Sequence, residues 1–100
     1  MHAVVRSFLE GGIFFMIRIK ENLLDNRNII IEVDGVLDHG AIPVLKSVCE
    51  RHLERDMKIL LNLAGIVHIT RAGRTFLRGL RKKISLSNLP EFMTVENGLH

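Results

Sequence analysis

The chain reads as an α/β domain in which a small mixed sheet of about four to five strands carries helices packed on it. Three observations predict this. β-Branched and aromatic runs open the chain, two amphipathic segments follow with apolar residues at helical spacing, and a strand-like apolar run comes after each of them. A strand, a helix and another strand in succession form a parallel unit, whose crossover is expected to be right-handed.

Ile13 to Ile19 (IFFMIRI) and Asn28 to Val33 (NIIIEV) are neighbouring strands, joined by a hairpin-like loop through the polar cluster Glu21, Asn22, Asp25, Asn26 and Arg27. Residues 1–12 are read as an extension ahead of a single domain spanning residues 13–99. Ile13 to Ile19 is then an exposed apolar edge through which two copies could pair as a homodimer. Past Asp34-Gly35 the period changes. Leu45, Val48, Cys49, His52 and Leu53 fall on one helical face, with Lys46, Glu50, Arg51, Glu54 and Arg55 on the other. Pro43 suits the first turn, Asp38 is placed to cap it, and Arg55-Asp56 marks the end.

Lys58 to Leu63 (KILLNL) is almost continuously apolar, as in a strand covered on both faces, and Ile66 to Ile69 follows after Ala64-Gly65. The spacing predicts a second helix over Ala72 to Lys83. Gly73, Phe76, Leu77 and Leu80 share one side of it, and Arg71, Arg74, Arg78, Arg81 and Lys82 crowd the other. Ile84 to Leu89 alternates as a strand, and Pro90 opens a short terminal helix with Phe92, Met93 and Val95.

A length of 100 residues, 47% of them hydrophobic and 25% charged, describes one ordinary globular domain. Closing a core at this size commits most of the apolar residues to packing and leaves little for a deep substrate cavity. The lone Cys49 makes no internal disulfide, which agrees with a reducing cytoplasm. No run of apolar residues is long enough for a membrane span. Trp and Tyr are absent, which weighs against base-stacking recognition of nucleic acid and ranks a nucleic-acid-binding basic domain behind a protein partner. The net charge of +3 is unevenly placed. Six of the 14 Lys and Arg residues lie between Arg71 and Lys83 with no acidic neighbour, leaving eight against 11 acidic residues elsewhere.

Three strings resemble the STAS family, named for sulfate transporters and anti-sigma-factor antagonists. Val33-Asp34-Gly35-Val36-Leu37-Asp38 is similar to the family's Gly-x-Leu-Asp at the approach to its first helix. Leu61 to Gly73 (LNLAGIVHITRAG) is similar to its Asp-Leu-Ser-x-Val stretch ending in Asp-Ser-Ser-Gly. Leu86-Ser87-Asn88-Leu89-Pro90 through Gly98-Leu99 is similar to its last strand and closing helix. The resemblance implies the STAS-like fold and a regulatory module that binds an anti-sigma factor, a kinase-like protein, or a related regulatory partner. Single-domain members also serve as accessory subunits of lipid transporters of the ABC type, which is the alternative.

Departures from the family pattern fall at the switch. Thr70, Arg71, Ala72 and Gly73 stand where the family has Asp-Ser-Ser-Gly, and Ala72 takes the place of the serine that partner kinases phosphorylate. Alanine has no hydroxyl, so the resemblance implies a module without that switch, with Thr70 as a substitute acceptor. Asn62 and Ala64 likewise replace an Asp and a Ser. The partner-binding residues implied are Asp38, Thr70, Arg71, Ala72, Gly73, Arg74 and Arg78. A helix starting at Thr70 to Ala72 would aim its free N–H groups and positive dipole end at an anionic partner.

No catalytic constellation can be assembled, so the chain is read as a binding module without enzymatic activity, cofactor or metal. Asp34 and Asp38 lack a third ligand and read as turn and cap residues. The histidines at positions 2, 39, 52, 68 and 100 have no metal-ligand spacing. Cys49 lies on an apolar helix face, and Ser47, Ser85 and Ser87 have no oriented His/Asp pair.

Overall fold

The computed structural model describes residues 2–8 and 14–89, with side chains from Ile17 to Leu89. The elements are β1 (His2–Phe8), β2 (Phe14–Leu23), β3 (Asn28–Leu37), α1 (Ile42–Leu53), β4 (Lys58–Ile69), α2 (Arg71–Leu80) and β5 (Ser85–Ser87). The strands form one sheet in the order β1-β2-β3-β4-β5. β1, β2 and β3 pair antiparallel, while β3, β4 and β5 pair parallel. This is the mixed α/β sheet with packed helices that the sequence predicts.

The antiparallel half differs from expectation in two ways. Residues 2–8, read as part of an extension, form a strand paired with β2 in the register His2↔Lys20 to Phe8↔Phe14. The outer strand is therefore β1, and the Ile13 to Ile19 segment is not the edge. The β2–β3 turn is also tighter than expected, because Glu21 and Asn22 belong to β2 and pair with Ile31 and Ile30. Asp25 organises the turn. Its Oδ1 accepts the backbone N–H groups of Arg27 and Asn28, each at 2.8 Å, and these bonds hold its carboxyl below the usual range.

One core lies on one side of the sheet. Ile17, Ile19, Ile29, Ile31 and Val33 alternate inward to meet Leu45, Val48 and Cys49 of α1 and Leu77 and Leu80 of α2. The expectation that β4 is covered on both faces is corrected by its burial pattern. Ile59, Leu61 and Leu63 are buried, whereas Lys58 and Leu60 face outward and Val67 is 74% exposed. Nor does β4 break at Ala64-Gly65. It continues to Ile69 through two register shifts against β3, between Glu32 and Asp34 and between Gly35 and Val36. At each shift β4 supplies one extra residue, a bulge that turns Ile66 and Ile69 back to the core after Leu63. Gly35, with φ of 106°, takes the backbone twist at this point that a side chain would resist.

α1 starts at Ile42 with Pro43 in its first turn, as expected, but Asp38 does not cap the helix itself. Asp38 builds the turn before it. Its carbonyl accepts the N–H groups of Ala41 and Ile42, and its Oδ1 accepts Ala41 N–H at 2.9 Å. α2 begins at Arg71 and ends at Leu80, so Arg81, Lys82 and Lys83 leave the helix that the periodicity extended through them. β5 is shorter than the segment Ile84 to Leu89, and the terminal helix expected after Pro90 lies outside the described residues.

A polar pair is built into this core. Glu21 continues the inward alternation of Ile17 and Ile19 and is only 4% exposed. His52, on the apolar face of α1, donates from Nε2 to Glu21 Oε1, and Arg51 donates to the same oxygen at 3.1 Å. Burial alone would raise the Glu21 carboxyl, but the hydrogen bonds and charge from His52 and Arg51 outweigh it and set the carboxyl below its ordinary 4.5. A carboxyl lowered by folding stabilises the native state above its unfolded value and loses that contribution as pH falls through the folded value. Glu21→Gln is therefore expected to cost about 1.5–3 kcal/mol near neutral pH, the range for hydrogen bonds to a charged group. In urea denaturation series the deficit should begin to shrink as pH falls past about 4.5, where the unfolded carboxyl takes up a proton, and close once pH falls below the lower folded value. A deficit independent of pH would show that the charge contributes nothing.

Candidate functional site

The site is organised by the last carbonyl of β3. Leu37 O accepts Thr70 N–H at 3.0 Å and the Thr70 hydroxyl at 3.4 Å, tying the end of β4 to the end of β3. Thr70 is extended (φ −83°, ψ 170°), the geometry of an N-cap, and its Oγ1 accepts Gly73 N–H at 3.1 Å. Gly73 completes the junction because it has no side chain. A Cβ there would stand 2.6 Å from Leu37 O and 2.8 Å from Ile69 Cγ1, so a side chain would push α2 off the sheet.

Beyond this junction the residues of α2 sort by direction. Gly73, Leu77 and Leu80 are buried against the sheet. Thr75, Phe76 and Gly79 face α1 across a shallow groove of about 320 Å³. Arg71, Arg74 and Arg78 line no part of that groove. Arg71, Ala72 and Arg78 are exposed, and Arg74 is half-buried. Among the described residues none of the three arginines forms an ion pair. No acidic residue occupies the first turn of α2, so Arg71 faces the positive end of the helix dipole and Arg74 and Arg78 stand one turn apart. Each unfavourable pairing costs a few tenths of a kcal/mol, which an anionic partner would relieve.

Each residue singled out by sequence now has a place. Thr70, Arg71, Ala72, Gly73, Arg74 and Arg78 share the junction and the first turns of α2. Asp38 lies next to them in the chain fold, but it is 5% exposed and its carboxylate is turned inward to Ala41. Thr70 is half-buried, and its hydroxyl is engaged as both donor and acceptor. Cys49 is buried, and desolvation, with Glu50 and Glu21 nearby, pushes its thiol up to about 12, out of the range of a nucleophile. His68 is exposed on β4. Among the described residues no group of three or more His, Cys, Asp or Glu side chains could hold a metal ion, and no helix is long and apolar enough to cross a membrane.

Two groupings escaped the sequence reading. Glu21 and His52 were legible in principle, since each is a polar residue at an inward position of an otherwise apolar series. Lys58 joins Arg81, Lys82 and Lys83 around a hollow below the C-terminal end of α2, and no periodicity relates those positions.

No family model matches the chain, and no curated protein matches it. Among solved structures, the anti-sigma factor antagonist SpoIIAA in its unphosphorylated form is similar, at 12% identity and a TM-score of 0.47, over 80% of this chain and 96% of that one.

Two glycines of α2 are expected to respond oppositely to alanine. Gly73→Ala should destabilise by about 1–3 kcal/mol, because the new methyl meets a backbone carbonyl that cannot move alone. Nothing lies within 4 Å of a Cβ at Gly79, so Gly79→Ala should stabilise by about 0.5–1 kcal/mol through helix propensity. Urea midpoints of the two variants check this, and stabilisation by both would rule out the close approach at Leu37.

Proposed function

We propose that the protein is a regulatory protein-interaction module of the anti-sigma-factor-antagonist kind, docking an anti-sigma factor through the start and basic flank of α2, from Thr70 to Arg78. The observation that carries this reading is the exposed first turn and flank of α2. There, Arg71, Arg74 and Arg78 lie along one flank with no ion-pair partner among the described residues, and Ala72 is exposed in the same first turn. In the family that the strings resemble, the position of Ala72 holds the serine whose phosphorylation releases the partner. A phosphate added in this first turn would offset the positive charge of the helix start and add bulk, which is a physical route to release. Alanine removes that route and leaves the surface in its binding form.

Surface charge governs encounter and specificity more than fold stability, so charge reversal tests the reading without unfolding the chain. Arg74→Glu together with Arg78→Glu should abolish capture of an anti-sigma factor from extracts of the native cell, as identified by mass spectrometry of the bound protein. Capture of a transporter ATPase subunit instead would contradict the reading.

Ala72→Asp supplies a complementary test. An acidic residue in the first turn favours the helix dipole, so the variant should fold at least as well as the wild type. It should nevertheless bind the anti-sigma partner at least about tenfold more weakly, a difference of 1.4 kcal/mol. Undiminished binding would exclude this face from the interface.

A further inference from the structure

Read along the sequence, the basic residues from Arg71 to Lys83 make one stripe, but the structure divides it at Leu80. Past that residue the chain turns. Lys82 N–H donates to Gly79 O, and the N–H groups of Lys83 and Ile84 donate to Leu80 O. The turn carries Arg81, Lys82 and Lys83 away from the arginines of the helix flank and toward Lys58, the first residue of β4. Lys58 is fixed in turn by its N–H, which donates to Arg27 O at 2.7 Å.

These four cations, with the exposed Ser85 at the start of β5, line an open hollow of about 360 Å³. Among the described residues no acidic side chain lines it and none of the four forms an ion pair. The negative end of the α2 dipole accounts for a cation or two at this helix terminus. It does not account for Lys58, which belongs to another element, or for four like charges turned to one concavity. A concave surface of a single sign concentrates field and raises the local concentration of counter-ions.

We propose that this hollow binds a condensed phosphate chain, the chemistry shared by inorganic polyphosphate and nucleoside triphosphates. A single carboxylate or monophosphate engages only part of the set, whereas a short phosphate chain presents several charged oxygens over the span of the hollow. Arg81 supplies the planar fork suited to a bidentate phosphate contact, the three lysines supply point charges, and the Ser85 hydroxyl is a neutral donor at the rim. The site lies at the opposite end of α2 from Thr70 and does not depend on the anti-sigma reading.

Isothermal titration of the full chain with tripolyphosphate, and separately with ATP, at about 0.15 M salt tests the proposal. Saturable one-to-one binding is expected. Lys58→Gln and Lys82→Gln should each weaken it about tenfold, while Arg18→Gln, the same loss of charge on the exposed face of β2, should leave it within about twofold. All three are exposed positions, and matching thermal midpoints verify folding. Equal affinity for the two ligands assigns recognition to the phosphate chain itself, and tighter binding of either one names the source. Absence of saturable binding by both ligands, or equal weakening by Arg18→Gln, overturns the site.

Discussion

The Leu37 carbonyl is the point on which the proposed docking end of the molecule depends. It is the last acceptor of β3, and it receives both the amide and the hydroxyl of Thr70. The same hydroxyl then caps α2 through Gly73 N–H. A single residue thereby ends β4, starts α2 and fixes the distance between them, and Gly73 allows that distance to be short. Every exposed residue of the proposed docking face inherits its direction from this contact, because Arg71, Ala72, Arg74 and Arg78 follow within two turns of a helix whose first residues cannot shift.

The one-sided sheet gives that junction its setting. Both helices pack on the face carrying the single core, so the basic flank of α2 is presented beside the core rather than over the uncovered strands. The buried Glu21 and His52 pair, joined by the exposed Arg51, clamps β2 to α1 at another point of the same face. Such a group gives little net stability over apolar packing but penalises any arrangement that separates its members. It constrains α1 against β2, as Leu37 constrains α2 against β3.

Most of the architecture was legible because periodicity reports burial directly. The alternating isoleucines of β2 and β3 and the i, i+3, i+4 series of α1 each have a single face to bury, and the two parallel units follow from the order of elements. The misreadings share a cause. Ala64-Gly65 looked like a break because a bulge shifts inward positions out of alternation, and that shift is visible only against the partner strand. α2 was extended to Lys83 because polar residues at a helix end carry no burial signal to mark the stop. Of the candidate site, the local string Thr70 to Arg78 was readable, since it is one contiguous helix start. The inward turn of Asp38 and the approach of Lys58 to Arg81 depend on tertiary geometry that no spacing encodes.

Where a partner sits decides whether the start of α2 is the docking face. Hydrogen–deuterium exchange of the chain, free and in complex with the proposed anti-sigma partner, locates that contact without altering a residue. Amide protection on binding is expected to concentrate in the segment from Thr70 to Arg78, with the outward residues of β2 and β4 exchanging as in the free protein. Protection confined to the uncovered sheet face around Arg18, Lys20 and Val67, with α2 unchanged, would contradict it.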